Sequence, residues 1–259
     1  MTIFYYTATG NCLAVAKQIA QSNENGKAKL VSIPQVVDSD DLSYADDVIG
    51  IVFPIFGFKT PKMVNKFLEK VKIEADYTFA IGTYGNMAGA AMMNLQKQAV
   101  GNGYRFDYAN QLLMVDNFLP IFETGKQIKS LPKKNVEENT AKIVKDINNR
   151  KHNQAKASFG ARLITPIIAA GTISDNYARK FSVNSWCNKC GVCSKVCPAK
   201  NITVTGKVDF HDHCEGCLAC IHLCPKNAIH LKGERSYKRW RNPEVSLNEI
   251  IGANNRSGK

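Results

Sequence analysis

Ile3-Phe4-Tyr5-Tyr6-Thr7-Ala8-Thr9-Gly10-Asn11-Cys12-Leu13 runs from one kind of local structure into another. Its first four residues are aromatic or β-branched, which suits a buried strand. From Asn11 onward, Leu13, Ala16 and Ile19/Ala20 recur at helical spacing. Between the two lies Thr7 to Cys12, a turn rich in hydroxyls with one glycine. A strand that turns there into a helix aims backbone N–H groups, side-chain donors and the positive helix end at one point, which suits a phosphate. The loop lacks the Gly-Lys-Ser/Thr ending of a Walker loop and the G-x-G-x-x-G of a dinucleotide fold. Neither ATP nor NAD is therefore indicated.

The alternation continues outward from this stretch. Ala28 to Ile33 reads as strand, Asp47 to Phe53 as strand, and Pro61 to Val71 as a helix with Val64, Phe67, Leu68 and Val71 inward. Tyr77 to Thr83 reads as strand, Gly89 to Val100 as helix, and Tyr104 to Val115 contains a further strand. Strands alternating with helices imply a parallel sheet covered on both faces. Two loops at strand ends stand out, Pro54-Ile55-Phe56-Gly57-Phe58 and Tyr84-Gly85-Asn86-Met87-Ala88-Gly89.

The whole chain has 259 residues, 44% hydrophobic and 22% charged, the composition of an ordinary globular protein with room for two domains. No apolar run approaches the roughly 18 to 20 residues that cross a bilayer. No secretory signal is visible at the N-terminus, so a cytoplasmic location is expected. The net charge of +12 is uneven: residues 1–120 sum to −1, residues 121–186 to +7 and residues 187–259 to +6. The lysines between Lys126 and Lys156 lack interleaved aromatics and read as a solvated helix face, with no nucleic-acid partner expected. A helix with Val136, Thr140, Ile143 and Ile147 on one face precedes a connector whose Leu163-Ile164 and Ile167-Ile168 pairs mark it as structured.

Nine cysteines are present, and eight fall in two blocks, Cys187, Cys190, Cys193, Cys197 and Cys214, Cys217, Cys220, Cys224. Each block reads C-x-x-C-x-x-C-x-x-x-C-P, closed by Pro198 and Pro225. Three thiolates with two residues between neighbours line one tight loop and can each meet a different iron of a cube; soft sulfur is the ligand such clusters select. Disulfides belong to oxidising compartments, and structural zinc sites pair two C-x-x-C units without the extra cysteines. Trp186 to Val204 and His213 to Leu231 align at an offset of 27 residues, so the blocks form an internal repeat. His211, His213, His222 and His230 flank the cysteines without being needed as ligands. Met87, Met92 and Met93 read as core filler.

Two family resemblances follow from these motifs. Residues 1–155 resemble the flavodoxin family, whose phosphate loop has the form T-x-T-G-N-T and whose FMN sits at the sheet's switch point. The resemblance implies that Thr7, Thr9, Gly10, Asn11 and Cys12 meet the FMN phosphate, and that loops with Pro54, Phe56 and Gly57, and with Thr83, Tyr84 and Gly85, flank the ring. Cys12 stands where the family has a hydroxyl, so weaker binding is expected. Residues 183–233 resemble the bacterial two-cluster ferredoxins, in which the fourth cysteine of each block crosses to the other cluster. That implies one [4Fe–4S] cluster on Cys187, Cys190, Cys193 and Cys224, and a second on Cys214, Cys217, Cys220 and Cys197. The order of the halves, joined by residues 156–182 and followed by a basic tail over 234–259, is similar to that of flavodoxin–ferredoxin fusion proteins. The expected fold is α/β, a flavodoxin-like doubly wound parallel sheet with a second, smaller α+β ferredoxin domain.

Joining one-electron clusters to a flavin that takes one or two electrons suggests an electron-transfer protein passing electrons to a partner. The partner expected from charge is an acidic redox protein, a ferredoxin or flavodoxin, or a partner reductase, docking at Lys226, Lys232, Arg235, Lys238, Arg239 and Arg241. Two alternatives stand beside it: an FMN-dependent reductase of a small organic substrate, and a redox-sensing regulator. The sequence offers no evident proton donor for the reductase. It leaves the oligomeric state open.

Overall fold

The computed structural model describes residues 1–24 and 26–256. Strand β1 (Thr2–Tyr5) is buried throughout and pairs in parallel with β2 (Lys29–Ser32) on one side and β3 (Val48–Pro54) on the other. Beyond β3 follow β4 (Tyr77–Tyr84) and β5 (Tyr108–Leu113), again parallel, so the order is β2-β1-β3-β4-β5. This is the flavodoxin-like doubly wound arrangement, and the order reverses between β1 and β3, where the carboxyl ends open a crevice. Every residue of β3 is buried, as a central parallel strand covered on both faces requires.

Helix α1 (Asn11–Gln21) covers one face with Leu13, Val15, Ala16 and Ile19, joined by Ile143 and Ile147 of α4 (Val136–Asn148). Helix α2 (Lys62–Lys70) and α3 (Ala91–Gly101) cover the other with Val64, Phe67, Leu68, Met92 and Leu95. The expected elements of this half are all present, with ends displaced by at most four residues. Gly50 is fixed by packing: a Cβ there would lie 1.9 Å from the Phe79 ring.

The connector folds as α5 (Phe159–Thr172), capped by Ser158, whose Oγ accepts from the Ala161 amide at 3.2 Å. Thr165 on its inner face accepts from the Ala90 amide at 2.9 Å, which ties α5 to the loop before α3. It is thus docked on the sheet domain.

The cysteine-rich part is two copies of one motif, and the repeat reaches beyond the cysteines. Strands Phe181–Val183 and Val208–Phe210 are related by the 27-residue offset, as are Ile202–Val204 and Ile229–Leu231. The short helices Val192–Lys195 and Ala219–His222 keep the same offset. Even the left-handed residues pair in this way: Lys189 with Gly216, Gly191 with Leu218, and Lys200 with Asn227. Each ladder joins an early strand of one copy to a late one, Phe181–Val183 against Ile229–Leu231 and Ile202–Val204 against Val208–Phe210. The unit therefore begins at Phe181, inside the segment assigned to the connector.

The C-terminal segment is the main departure from the sequence reading. It does not trail away as a basic tail but folds back as a brace, ending in α6 (Leu247–Asn254), whose Ser246 and Glu249 form a reciprocal cap. Val245, Ile250 and Ala253 share one apolar core with Leu13 and Ala16 of α1 and with Val196, Ala219 and Leu223 of the cysteine-rich unit. Asn254 is fully buried, and its amide donates to the Thr7 carbonyl at 2.9 Å and to the Val196 carbonyl at 3.1 Å. Core and hydrogen bonds thus fix the two halves in one relative position. Among the described residues no helix is long and apolar enough to cross a membrane.

Candidate functional site

The crevice at the carboxyl ends of β1, β3 and β4 is a cavity, and ten of the eleven residues expected around a flavin line it. They are Thr7, Thr9, Asn11, Cys12, Pro54, Phe56, Gly57, Thr83, Tyr84 and Gly85. Gly10 is the exception. It adopts φ +100°, and a Cβ there would stand 3.0 Å from Cβ of Asn242, so it admits the C-terminal brace and faces away from the cavity.

The loop keeps its donors available. Thr7 Oγ1 accepts from the Gly10 amide at 3.2 Å, and Thr9 Oγ1 accepts from the Asn117 side chain at 2.7 Å. Both hydroxyls act as acceptors there, which leaves their protons to give. The amides at the start of α1 have no acceptor within the helix. Asn11 Oδ1 is engaged by the brace, accepting from Trp240 Nε1 at 3.2 Å and Asn242 Nδ2 at 3.3 Å. Cys12 is buried, with its thiol 3.1 Å from Thr83 Oγ1, and burial pushes it up to about 12. It is a neutral thiol, so it sets no negative charge against an anion.

The two flanking loops are held by distinct devices. Phe56 and Lys59 exchange backbone hydrogen bonds at 2.9 and 3.0 Å across a turn in which Gly57 and Phe58 are left-handed. The Lys134 ammonium donates to the carbonyls of Gly85 and Met114 at 2.6 and 2.5 Å and to Gln127 Oε1 at 3.2 Å, fixing the second loop. Gly85 lets that loop touch the chain after β5: a Cβ there would lie 2.3 Å from Cβ of Asp116. Burial holds the Asp116 carboxyl above the usual carboxylate range, against the lowering pull of the Phe118 amide and Lys134.

Sequence reasoning missed Asp116, Asn117 and Phe118, which also line the cavity. The signal was their position, just after a fifth parallel strand whose carboxyl end opens on the same crevice. It missed Ile168 and Ile173 of the connector and Gly216, Cys217 and Leu218 of the second cysteine block, which complete the wall. No local pattern announces a contact across so many residues.

The eight clustered cysteines surround two voids. One is lined by Cys187, Cys190, Cys193 and Cys224, the other by Cys214, Cys217, Cys220 and Cys197. In each, the fourth cysteine comes from the other block. It is also held alike, since the Asn201 amide donates to Cys197 Sγ and the Ala228 amide to Cys224 Sγ, both at 3.3 Å. Burial raises the Cys193 and Cys197 thiols to about 11, and the neighbouring cysteines of each void push the same way. Among the described residues, no group of three His, Cys, Asp or Glu side chains converges as a site for a single metal ion. The histidines have other partners: buried His222 donates through Nε2 to the Asn117 carbonyl at 2.8 Å and accepts at Nδ1 from the Trp240 amide at 3.2 Å.

The voids differ in exposure. Cys190 of the first is exposed, and so is Trp186, the residue before Cys187. The second lies against the sheet domain, where Cys217 and Leu218 line both it and the large cavity. The Glu215 carboxylate accepts from the amides of Lys62 and Met63 at 3.1 and 2.9 Å, capping α2 and fixing that junction.

No family model matches the sequence, and no curated protein matches it. Several solved structures are similar to part of it. A flavodoxin of Megasphaera elsdenii is 19% identical with a TM-score of 0.33, covering 43% of this chain and 85% of its own. A flavodoxin from the domain Archaea is 18% identical with a TM-score of 0.32, covering 56% of this chain and 98% of its own. An azoreductase from Bacillus anthracis is 9% identical with a TM-score of 0.37, covering 57% of this chain and 98% of its own. The assignment of the flavodoxin-like fold rests on the strand order and its parallel connections.

Proposed function

We propose that the chain is an electron-transfer iron–sulfur flavoprotein carrying FMN and two [4Fe–4S] clusters. The observation that carries the reading is the shared wall: Cys217 and Leu218 border both the second cysteine void and the cavity above the sheet. Thr7, Thr9 and the first amides of α1 would hold the FMN phosphate, with Phe56 and Tyr84 beside the ring. Cys187, Cys190, Cys193 and Cys224 would hold one cluster, and Cys214, Cys217, Cys220 and Cys197 the other. When bound, the clusters supply single electrons and the flavin takes one or two, which makes the pair an adapter between the two kinds of chemistry.

The donor sets fit these groups. Four sulfurs around a void, not three donors converging on a point, suit a polynuclear centre better than a lone zinc ion. The Cys193 and Cys197 thiols, which burial raises to about 11, need a positively charged core to ionise, and iron supplies that charge. Exposed Cys190 lines the first void, and Cys217 and Leu218 line both the second void and the cavity. Anaerobically reconstituted protein is expected to hold about eight iron and eight sulfide, as two cubanes require, with one FMN released on denaturation. Zinc in the cysteine sites, or tightly bound FAD in place of FMN, would overturn the reading.

Asp116 favours a second reading, an FMN-dependent reductase of a small organic substrate. Its carboxyl is held high by burial, and the residue lines the cavity whose wall also includes Ile168 and Ile173. One measurement separates the two. A carrier passes electrons to an acidic ferredoxin or flavodoxin, or to a partner reductase, at a rate that falls as salt shortens the Debye length from about 30 Å at 0.01 M to about 10 Å at 0.1 M. Neutralising Lys226, Lys238 and Arg241, all exposed, is expected to slow it. Arg239 leaves the docking patch, because its guanidinium donates to Glu234 at 3.0 and 3.1 Å and to Asn227 at 2.6 Å. A reductase instead turns over small acceptors at a rate insensitive to salt and loses turnover in Asp116→Asn.

A further inference from the structure

Tyr6 is the last residue before the Thr7 loop. Its backbone amide donates to the Val52 carbonyl at 3.0 Å, so its position is set by the sheet. Its ring is fully buried and meets edge to face, at 6.2 Å between centroids, the ring of Phe56, which lines the cavity. Its hydroxyl is sealed from solvent and has no hydrogen-bond partner among the described residues. A buried tyrosine hydroxyl ordinarily has a partner, because an unmet donor forfeits its hydration.

The surroundings indicate what is missing. Asn254 binds the residue after Tyr6 and the residue before Cys197 with one amide group. Glu215, between Cys214 and Gly216, is bonded to the Met63 amide, and Met63 belongs to the same apolar core as Tyr6. Burial first, then the charges of Cys217, Glu215, Cys197 and Cys214, drive the phenol well above its ordinary range, so it keeps its proton. Three of those four neighbours are ligands proposed for the second cluster.

We propose that the Tyr6 hydroxyl donates a hydrogen bond to the cluster held by Cys214, Cys217, Cys220 and Cys197, so that a side chain of the flavodoxin-like domain sets the potential of the cluster beside it. The proposal rests on the two-cluster reading. The bond forms only when the cluster is loaded, which accounts for the orphaned hydroxyl. A hydrogen bond to cluster sulfur favours the reduced, more negative state and raises the potential. Glu215 faces the same cluster and acts in the opposite sense. The cysteine-rich unit is a repeat, whereas Tyr6 belongs to the sheet and has no counterpart within that repeat, so a bond to the second cluster alone separates the potentials of the two sites.

The test is a redox titration followed by electron paramagnetic resonance on the full chain, reconstituted anaerobically, as wild type and Tyr6→Phe. Iron and sulfide contents are expected to match. At a fixed potential, the reduced-to-oxidised ratio of one cluster should fall about tenfold, the weight of one charge-assisted hydrogen bond. The other cluster should not move. Incorporating 3,5-difluorotyrosine at position 6 keeps the ring and strengthens the donor, and should move the same cluster the opposite way. Unchanged potentials, or equal shifts in both clusters, overturn the proposal. If Tyr6→Phe fails to assemble, the fluorinated chain decides, and an unmoved potential there overturns it. Absence of clusters from the wild type would instead refute the two-cluster reading, before Tyr6 is altered.

Discussion

Replacing Cys197 by serine is expected to remove the cluster of the other block. Cys197 follows the short helix of the first block, yet its sulfur lines the void formed by Cys214, Cys217 and Cys220. Its twin Cys224 lines the void of Cys187, Cys190 and Cys193. A serine oxygen is a hard ligand where the cluster selects soft sulfur. Cys197→Ser should therefore reduce iron and sulfide from about eight of each to about four, with the resonance of the first cluster intact. Cys224→Ser should show the mirror image. The two variants should differ in function, because only the second void shares a wall with the cavity. Loss of the second cluster should stop reduction of the flavin by an external low-potential donor. Loss of the cluster built on Cys187, Cys190 and Cys193 in Cys197→Ser, with the other unharmed, would refute the crossed pairing.

What the sequence made legible was periodic or strictly spaced. The alternation of Ile3 to Tyr6, Asp47 to Phe53 and Tyr77 to Thr83 with helical stretches needs only neighbouring residues to be read, and the parallel sheet follows from it. The cysteine spacing is likewise local; the crossed sets are what the ferredoxin resemblance implies, and in the structure each of two voids is lined by four of the sulfurs. What stayed hidden is carried by pairs far apart in the chain. Nothing near Trp240 or Asn254 indicates Asn11, Thr7 or Val196 as their partners. Charge counting misled at Arg239 for the same reason, since a guanidinium held by Glu234 looks in sequence like one facing water. Asp116 was passed over because one carboxylate in a loop has no pattern; only its burial beside Gly85 makes it a candidate acid.

Ending the chain after Arg239 is expected to cost the protein its flavin and the fixed relation between its halves. The deletion removes Val245 and Ile250, both fully buried, from the core shared by α1 and the cysteine-rich unit. Each contributes about 1.5 to 3 kcal/mol of burial. It also removes the Asn242 amide from the Thr9 carbonyl, where it donates at 2.8 Å, and the two hydrogen bonds of Asn254. Each of these is worth about 1 kcal/mol net, and more where a buried carbonyl is left unmet. Together they approach a typical domain's whole margin of about 5 to 15 kcal/mol. The loop that would hold the phosphate is braced from behind at Thr7, Thr9, Gly10 and Asn11, so it should lose its shape before the sheet melts. The expected result is a chain that releases FMN on gel filtration, melts well below the full-length protein and becomes protease-sensitive near Val196. Asn254→Ala keeps the core and tests the bridge alone. It should cost about 1 to 3 kcal/mol, the penalty of leaving the Thr7 and Val196 carbonyls buried without a donor. A truncated chain that keeps its flavin and melts like the full-length protein would show that the phosphate loop holds its shape unaided, and that the segment after Arg239 is the solvated basic tail its composition suggests.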